Sequence, residues 1–208
     1  WTLLSNWEFN EDFEEAGPTI YHYFFVTLLR NMLKDDLGEP LFQAYAYWSS
    51  YSVKSVEHLL QRPQASWWDK SDTEDRETME QIIVESFQET VRTLVRELGD
   101  GPGFWEWGSV HQLTLAHPLG QQKPLDRIFN YGPFPISGSA GSIPKAEYRL
   151  NAPFDVYVGV SMRQVVDLAM PHIGKTVLPG GQSGQPLSDH YHDQGPLWRE
   201  GRLKEVSM

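Results

Sequence analysis

Near the end of the 208-residue chain, the stretch "LPGGQSGQPLSDHYHDQGPLW" brings Asp189, His190, His192 and Asp193 into five residues. Such a set could ligate a metal, move protons, or form a polar loop. In a strand, alternate residues share a face, so His190 and His192 would both reach one ion, with an oxygen from Asp189 or Asp193. A metal site also needs a third ligand fixed by the fold, and the flanking Gly and Pro favour a loop. His111 and His117 form a second pair, and six residues of separation put them on one face if the strand between them runs that far. For each, a buried histidine held by a backbone carbonyl is the plainer expectation than a general base, because no partner lies nearby in sequence. Ser183 in "GGQSGQ" does not make a nucleophile elbow, which needs Gly two before and two after; Gly181 meets the first condition and Gln185 fails the second. No Gly-Lys-Ser/Thr follows a glycine loop, so a P-loop is excluded. Arg163 and Asp167, four apart inside an apolar run, are expected to pair with buried partners rather than to act in catalysis.

The elements that must position these residues fall into two textures. Residues 1–100 read as helical. Gly17-Pro18 opens a helix in which Ile20/Tyr21, Phe24/Phe25, Leu28/Leu29 and Met32/Leu33 recur every four residues up to Gly38. A shorter helix is expected from Ser52 to before Pro63, with Val53, Val56, Leu59 and Leu60 inward. A third, capped by Ser71 or Asp72, carries the stripe Met79, Ile82, Ile83, Phe87, Val91, Leu94, Val95 and Leu98 and stops at Gly99, with Glu80, Glu85, Glu89, Arg92 and Arg96 on its solvated face. After "GDGPG" (99–103), residues 101–208 read as strand and loop. "SVHQLTL", "PFDVYVGVSM" and "KTVL" have strand composition, and "RQVVDLA" suits either a strand or a helical turn. The expected class is α+β, with a helical first half and a strand-and-loop second half that do not fold independently.

Composition narrows the partners. The net charge of −11 resides in residues 1–100, which hold 19 acidic and 8 basic side chains against 9 and 9 in the remainder. An acidic face without a basic stripe repels phosphate, so nucleic acid is not an expected partner. Nor is a membrane, since no apolar run approaches the roughly 20 residues of a spanning helix. The chain has no cysteine, which excludes disulfides, thiolate nucleophiles and cysteine-type zinc sites. No charged n-region with an apolar h-region opens it, so no export signal is visible. Eight Trp, nine Tyr and ten Phe argue for large buried rings or an apolar ligand surface.

Taken in order, "WGSVHQLTLAHPLG", "GVSMRQVVDLA" and "LPGGQSGQPLSDHYHDQGPLW" resemble the C-terminal end of the β subunit in the penicillin acylase family of N-terminal nucleophile (Ntn) hydrolases, which includes acyl-homoserine lactone and cephalosporin acylases. The family pattern is W-G-x-x-H then H-P-L, next G-x-S-x-R-x-(I/V)-x-D-L, then G-Q-S-G-x-P-x-S-x-H-Y-x-D-Q. The chain matches it at Trp107, Gly108 and His111, at His117 to Leu119, at Gly159, Ser161, Arg163, Val165, Asp167 and Leu168, and from Gly181 through Gln182, Ser183, His190, Tyr191 and Asp193 to Gln194. "LLSNWEFNEDFEEAGPTIYHYFFVTLL" is similar to the family's Leu-x-x-Trp segment and long amphipathic helix. The segment Gly138 to Pro144 departs from the family's G-D-x-x-T-V-N loop. In the pattern His192 occupies a variable position, so the resemblance makes His190 and Asp193 hydrogen-bonding anchors of a structural loop.

The resemblance implies the C-terminal portion of an αββα Ntn fold. Members cleave their own precursor to expose an N-terminal Ser, which attacks the amide of an N-acylated substrate with its own α-amino group as base. A free α-amine has an unperturbed pKa near 8, so it can take the hydroxyl proton at neutral pH. Position 1 here is Trp, which cannot be that nucleophile, and the nucleophile, oxyanion donors and acyl pocket would lie upstream. No catalytic residue is therefore assigned to this chain, and no metal or cofactor either; the family's calcium, where present, would bind elsewhere in the assembled enzyme. The implied partners are the α subunit and the N-terminal part of the β subunit, with a small N-acyl amide as substrate, in the periplasm or outside the cell. Two other readings stay open: a stand-alone binding or scaffold module, and a metal-dependent hydrolase built on His111, His117, His190 and His192.

Overall fold

The computed structural model describes residues 2–47 and 49–207, without the side chains of 49–51 and 207; Trp1 lies outside the described residues. Among the described residues, seven α-helices run α1 (Thr2–Asn6), α2 (Ala16–Tyr45), α3 (Ser49–Leu60), α4 (Met79–Leu98), α5 (Trp107–Val110), α6 (Asp126–Phe129) and α7 (Gly195–Arg199). The seven strands among the same residues are β1 (Gln112–Leu115), β2 (Tyr131–Pro135), β3 (Ala146–Arg149), β4 (Ala152–Gly159), β5 (Arg163–Val166), β6 (Ile173–Val177) and β7 (Lys204–Ser207). The class is α+β, with helices dominating the first hundred described residues and all the described strands following residue 111.

Helix α2 begins where Gly17-Pro18 places it and buries Ile20, Phe25, Leu28, Leu29, Met32 and Leu33. Gly38 breaks the helical geometry with a φ of 69°, and a second helical segment then continues through Pro40 to Tyr45. Helix α4 starts later than Ser71 or Asp72 would have it. Thr78 is the cap, with a capping box in which Thr78 Oγ1 accepts from the Gln81 amide and the Gln81 side chain accepts from the Thr78 amide. Its buried line is Ile82, Ser86, Thr90 and Leu94, four residues apart. The two hydroxyls bond back to the carbonyls of Ile82 and Ser86, so small polar residues meet α2 without unsatisfied groups. Val95, expected inside, is exposed. Part of the opposite face is tied down: Glu89 accepts from Arg30 and Asn31, and Glu85 pairs with Lys70.

On α3, Val56 and Leu59 are buried, but Val53 and Leu60 are 48% and 44% exposed, contrary to the expected inward stripe. The second half contains three strands that the sequence did not announce, β2, β3 and β7, and it settles "RQVVDLA" as the strand β5. "SVHQLTL" divides: Ser109 and Val110 complete the turn α5 and the strand begins at Gln112. One sheet has the order β2-β1-β4-β3, with β1 parallel to β4 and the other pairs antiparallel; a second is antiparallel β5-β6-β7. The main core draws on both halves, packing Leu28, Leu29 and Met32 of α2 and Ile82 of α4 against Trp107, Tyr148, Leu150 and Phe154. A second core beneath the sheets gathers Leu113, Phe134, Val156, Val177 and Trp198.

Candidate functional site

Trp107 is fully buried, and its indole lies between two imidazoles: His22 stacks at 4.6 Å and 15°, His111 at 4.2 Å and 13°. Three elements build this arrangement. Helix α2 supplies His22, the turn α5 supplies Trp107 with His111 as its C-terminal cap, and β3 supplies Tyr148, whose ring meets all three edge-on. The turn is fixed by backbone bonds from the Trp107 and Gly108 amides to the carbonyls of Glu15 and Phe13, and by the indole N–H donating to the Gly138 carbonyl at 3.1 Å.

A hydrogen-bonded line runs along one side of the stack. His22 Nε2 lies 3.1 Å from Glu11 Oε1, and His22 Nδ1 lies 2.9 Å from the Tyr148 hydroxyl. Burial pushes the Glu11 carboxyl up, yet His22 and the nearby Ser139 and Ser142 hydroxyls together hold it below its ordinary value. An ionised Glu11 can only accept, so Nε2 donates to it, and Nδ1 shares a hydrogen bond with the Tyr148 hydroxyl. Tyr148 is wholly enclosed, and burial raises its phenol well above the usual value, so it stays protonated and able to donate.

His111 behaves as a core histidine. Its Nδ1 donates to the Phe154 carbonyl at 2.9 Å, while Nε2 has no partner within hydrogen-bonding geometry. Burial lowers its pKa to about 4, against the smaller opposing pulls of the Phe154 and Ala146 backbone and the Glu11 charge. A neutral His111 can therefore stack closely on Trp107 without a buried charge to neutralise. His117 does not share its face. The strand ends at Leu115, and His117 instead caps a short 3-10 turn, its Nδ1 accepting from the Leu119 amide.

Beside the line of Glu11, His22 and Tyr148 opens a cleft of about 370 Å³, walled by Phe9, Tyr21, Phe25 and Val53 and by the loop from Ser139 to Ser142. The loop is held close: the Gly138 amide donates to the Glu11 carbonyl, and a Cβ at Gly138, where φ is +100°, would lie 1.9 Å from the Pro144 oxygen. Neither Glu11, His22 nor Tyr148 stood out in the sequence. His22 sits within "IYHYFF", where it reads as part of an apolar helix, and Glu11 within an acidic run.

The C-terminal motif is a loop of a different kind. The Ser183 amide donates to the His190 carbonyl, and a Cβ at Gly181 would approach that carbonyl to 2.0 Å, so glycine is required there. Buried Gln194 accepts from the Leu178 amide, and the Tyr191 hydroxyl donates to the Phe129 carbonyl. Gln182 is exposed. His190 bonds Asp193 at 3.0 Å, holding the Asp193 carboxyl below its ordinary value, whereas His192 stacks on Tyr131 at 4.7 Å. The two histidines thus have different partners, and among the described residues no three His, Asp or Glu side chains come together as a metal-ligand set. Arg163 donates to the Trp198 carbonyl and lies over its ring at 4.9 Å, so its partner is the buried Trp198. Asp167 is exposed and caps a local turn through the Ala169 amide, contrary to the expectation of a buried partner.

Comparison with known proteins places these features in a lineage. The family model for penicillin amidase matches residues 1–208. The chain belongs to the penicillin amidase family. It is 26% identical over 197 residues to the acyl-homoserine lactone acylase QuiP of Pseudomonas putida, covering 93% of this chain and 24% of that protein. To QuiP of Pseudomonas aeruginosa it is 29% identical over 205 residues, covering 90% and 24%. The penicillin acylase 2 proenzyme of Pseudomonas sp. SE83 is 30% identical over 95 residues, covering 45% and 12%. The chain thus spans about a quarter of the length of the curated relatives it matches. His22, Trp107, His111 and Tyr148 lie within this family member's main core, and its helical and strand-bearing halves meet there.

Proposed function

We propose that the chain is the C-terminal part of the β subunit of an acylase that hydrolyses the amide of N-acyl-homoserine lactones, with the nucleophile on a segment outside these 208 residues. The observation that carries this reading is the family match along the whole chain, joined to its relationship with proteins named as acyl-homoserine lactone acylases over nine-tenths of its length. The relative named as a proenzyme supports processing of a longer precursor.

In the proposed reaction an N-terminal Ser of the partner segment adds its Oγ to the amide carbon, and its proton passes to the α-amino group. Collapse of the tetrahedral intermediate breaks the C–N bond, and the proton leaves with the amine. Water then opens the acyl ester, releasing the carboxylic acid and restoring the Ser. The residues described here would act by holding the frame: the stack on Trp107 joins α2, α5 and β3, and Arg163 with Trp198 closes the second sheet. An export route and a periplasmic location belong to the same reading.

The test is to express the full precursor and measure primary amine released from N-acyl-homoserine lactones and, in parallel, from penicillin side-chain amides. Release from the lactones supports the reading. Release confined to the penicillins moves the substrate class, and release from neither overturns it.

A further inference from the structure

The cleft beside Glu11 adjoins a second one across shared walls. Tyr21, Phe25 and Val53 wall both, and the second, of about 490 Å³, runs on between α2, α3 and α4 along Phe24, Leu28, Val56, Leu60 and Ile83. Its walls are ordered helical stripes. Tyr21, Phe24, Phe25 and Leu28 recur at the i, i+3, i+4, i+7 spacing of one face of α2, and Val53, Val56 and Leu60 take i, i+3 and i+7 on α3, with Glu57 at i+4. Val53 and Leu60 are the two α3 residues that the sequence pattern turned inward and that this chain leaves uncovered. A helical face with apolar periodicity and no cover lacks a partner.

We propose that this groove seats an amphipathic helix from the part of the same precursor that lies outside these 208 residues, an inference that rests on the acylase reading above. The chain accounts for about a quarter of its relatives' length, so three-quarters of such a polypeptide is available to supply the helix. The lining also favours protein over a fatty acid. Among the described residues, the ionisable groups along it are Glu11, His22, Tyr21, Tyr148 and Glu57, with no Lys or Arg to receive a carboxylate, and Glu11 and His22 already bond each other. The occupant would present Leu, Ile, Val or Phe at i, i+3, i+4 and i+7, as helix-in-groove recognition requires.

The test places a photoreactive phenylalanine analogue at Leu60, and separately at Val53, in the full processed protein, irradiates it, and identifies the linked peptide by mass spectrometry. The expected product joins the groove to a peptide outside residues 1–208 with apolar residues at helical spacing. A link only within residues 1–208, or to a second copy of the chain, overturns the proposal, as does a link that an added N-acyl-homoserine lactone abolishes. A companion variant, Leu60→Asp, should weaken association of the processed chains about tenfold or more, while Leu60→Met restores it; unchanged association in Leu60→Asp counts against the groove. Amine release by the unmodified protein separates the two ideas. Release together with links confined to this chain removes the groove alone, and an external link without release removes the acylase reading alone.

Discussion

His22 and His111 come from distant parts of the chain and share one buried indole, whereas His190 and His192 are neighbours in sequence and face different partners near the surface. The contrast separates proximity in sequence from proximity in space. In the loop, glycines and short side chains let the backbone bond itself, so each histidine is free to take whatever lies beside it. In the core, the fold brings a helix, a turn and a strand to one ring, where His22 is bonded through both nitrogens and His111 through Nδ1. Density of chemistry-bearing residues in the sequence therefore marks the less constrained of the two places.

Substitutions can break or sharpen this contrast. Trp107→Ala should have the largest effect, about 3–5 kcal/mol of lost stability by chemical denaturation, since it removes the plate between two imidazoles and opens a cavity. A loss below about 1 kcal/mol would mean that the stack does not organise the core. His22→Ala, which leaves Glu11 and Tyr148 without their common partner, should cost about 2–3 kcal/mol, and Glu11→Gln should cost less because the amide oxygen can still accept. Arg163→Ala should cost about 1–2 kcal/mol through lost packing on Trp198, with acyl-chain preference of the assembled enzyme unchanged. A changed preference at constant melting temperature would move Arg163 from frame to pocket. His192→Ala should stay within about 0.5 kcal/mol, as surface substitutions do; a large loss there would return the metal reading.

Acidity offers a further comparison within the core pair. The folded His111 pKa, about 4, lies below the unfolded value near 6.5, so the native state binds fewer protons in that interval. Stability should therefore be full above pH 6.5 and fall as the pH drops toward 4, by on the order of 3 kcal/mol. The depressed Glu11 carboxyl adds a loss of the same sign at lower pH, when its carboxylate is protonated. In His111→Gln the part of the slope between pH 6.5 and 4 should flatten, which a series of urea melts would resolve.

Much of the helical frame was legible because its signals are local. Gly17-Pro18, the four-residue repeat of α2 and Gly99 all act within a turn or two of where they stand. The α4 cap was misplaced to Ser71 or Asp72 because any hydroxyl or carboxylate can cap, and only the pairing of Thr78 with Gln81 decides among them. Ser86 and Thr90 were overlooked since hydroxyls that bond their own helix bury as readily as methyl groups. Strands β2, β3 and β7 are short, and their pairing depends on distant residues, so little in "YGPFP", "AEYR" or "KEVS" announces them. The core site was hidden for the same reason: Glu11, His22, Trp107 and Tyr148 meet only after the two halves pack. The bland expectation for His111, a backbone carbonyl partner, needed no such long-range information, and Phe154 supplies it.

The most direct test of the account is denaturing intact-mass analysis, with N-terminal sequencing, of everything that co-purifies with this chain when its full precursor is expressed. The account predicts that the polypeptide carrying these 208 residues begins with Ser upstream of them, that a second chain of the same precursor accompanies it, and that the Ser→Ala form no longer releases amine from N-acyl-homoserine lactones. Recovery of the 208-residue chain alone, soluble, monomeric and melting cooperatively, would contradict it.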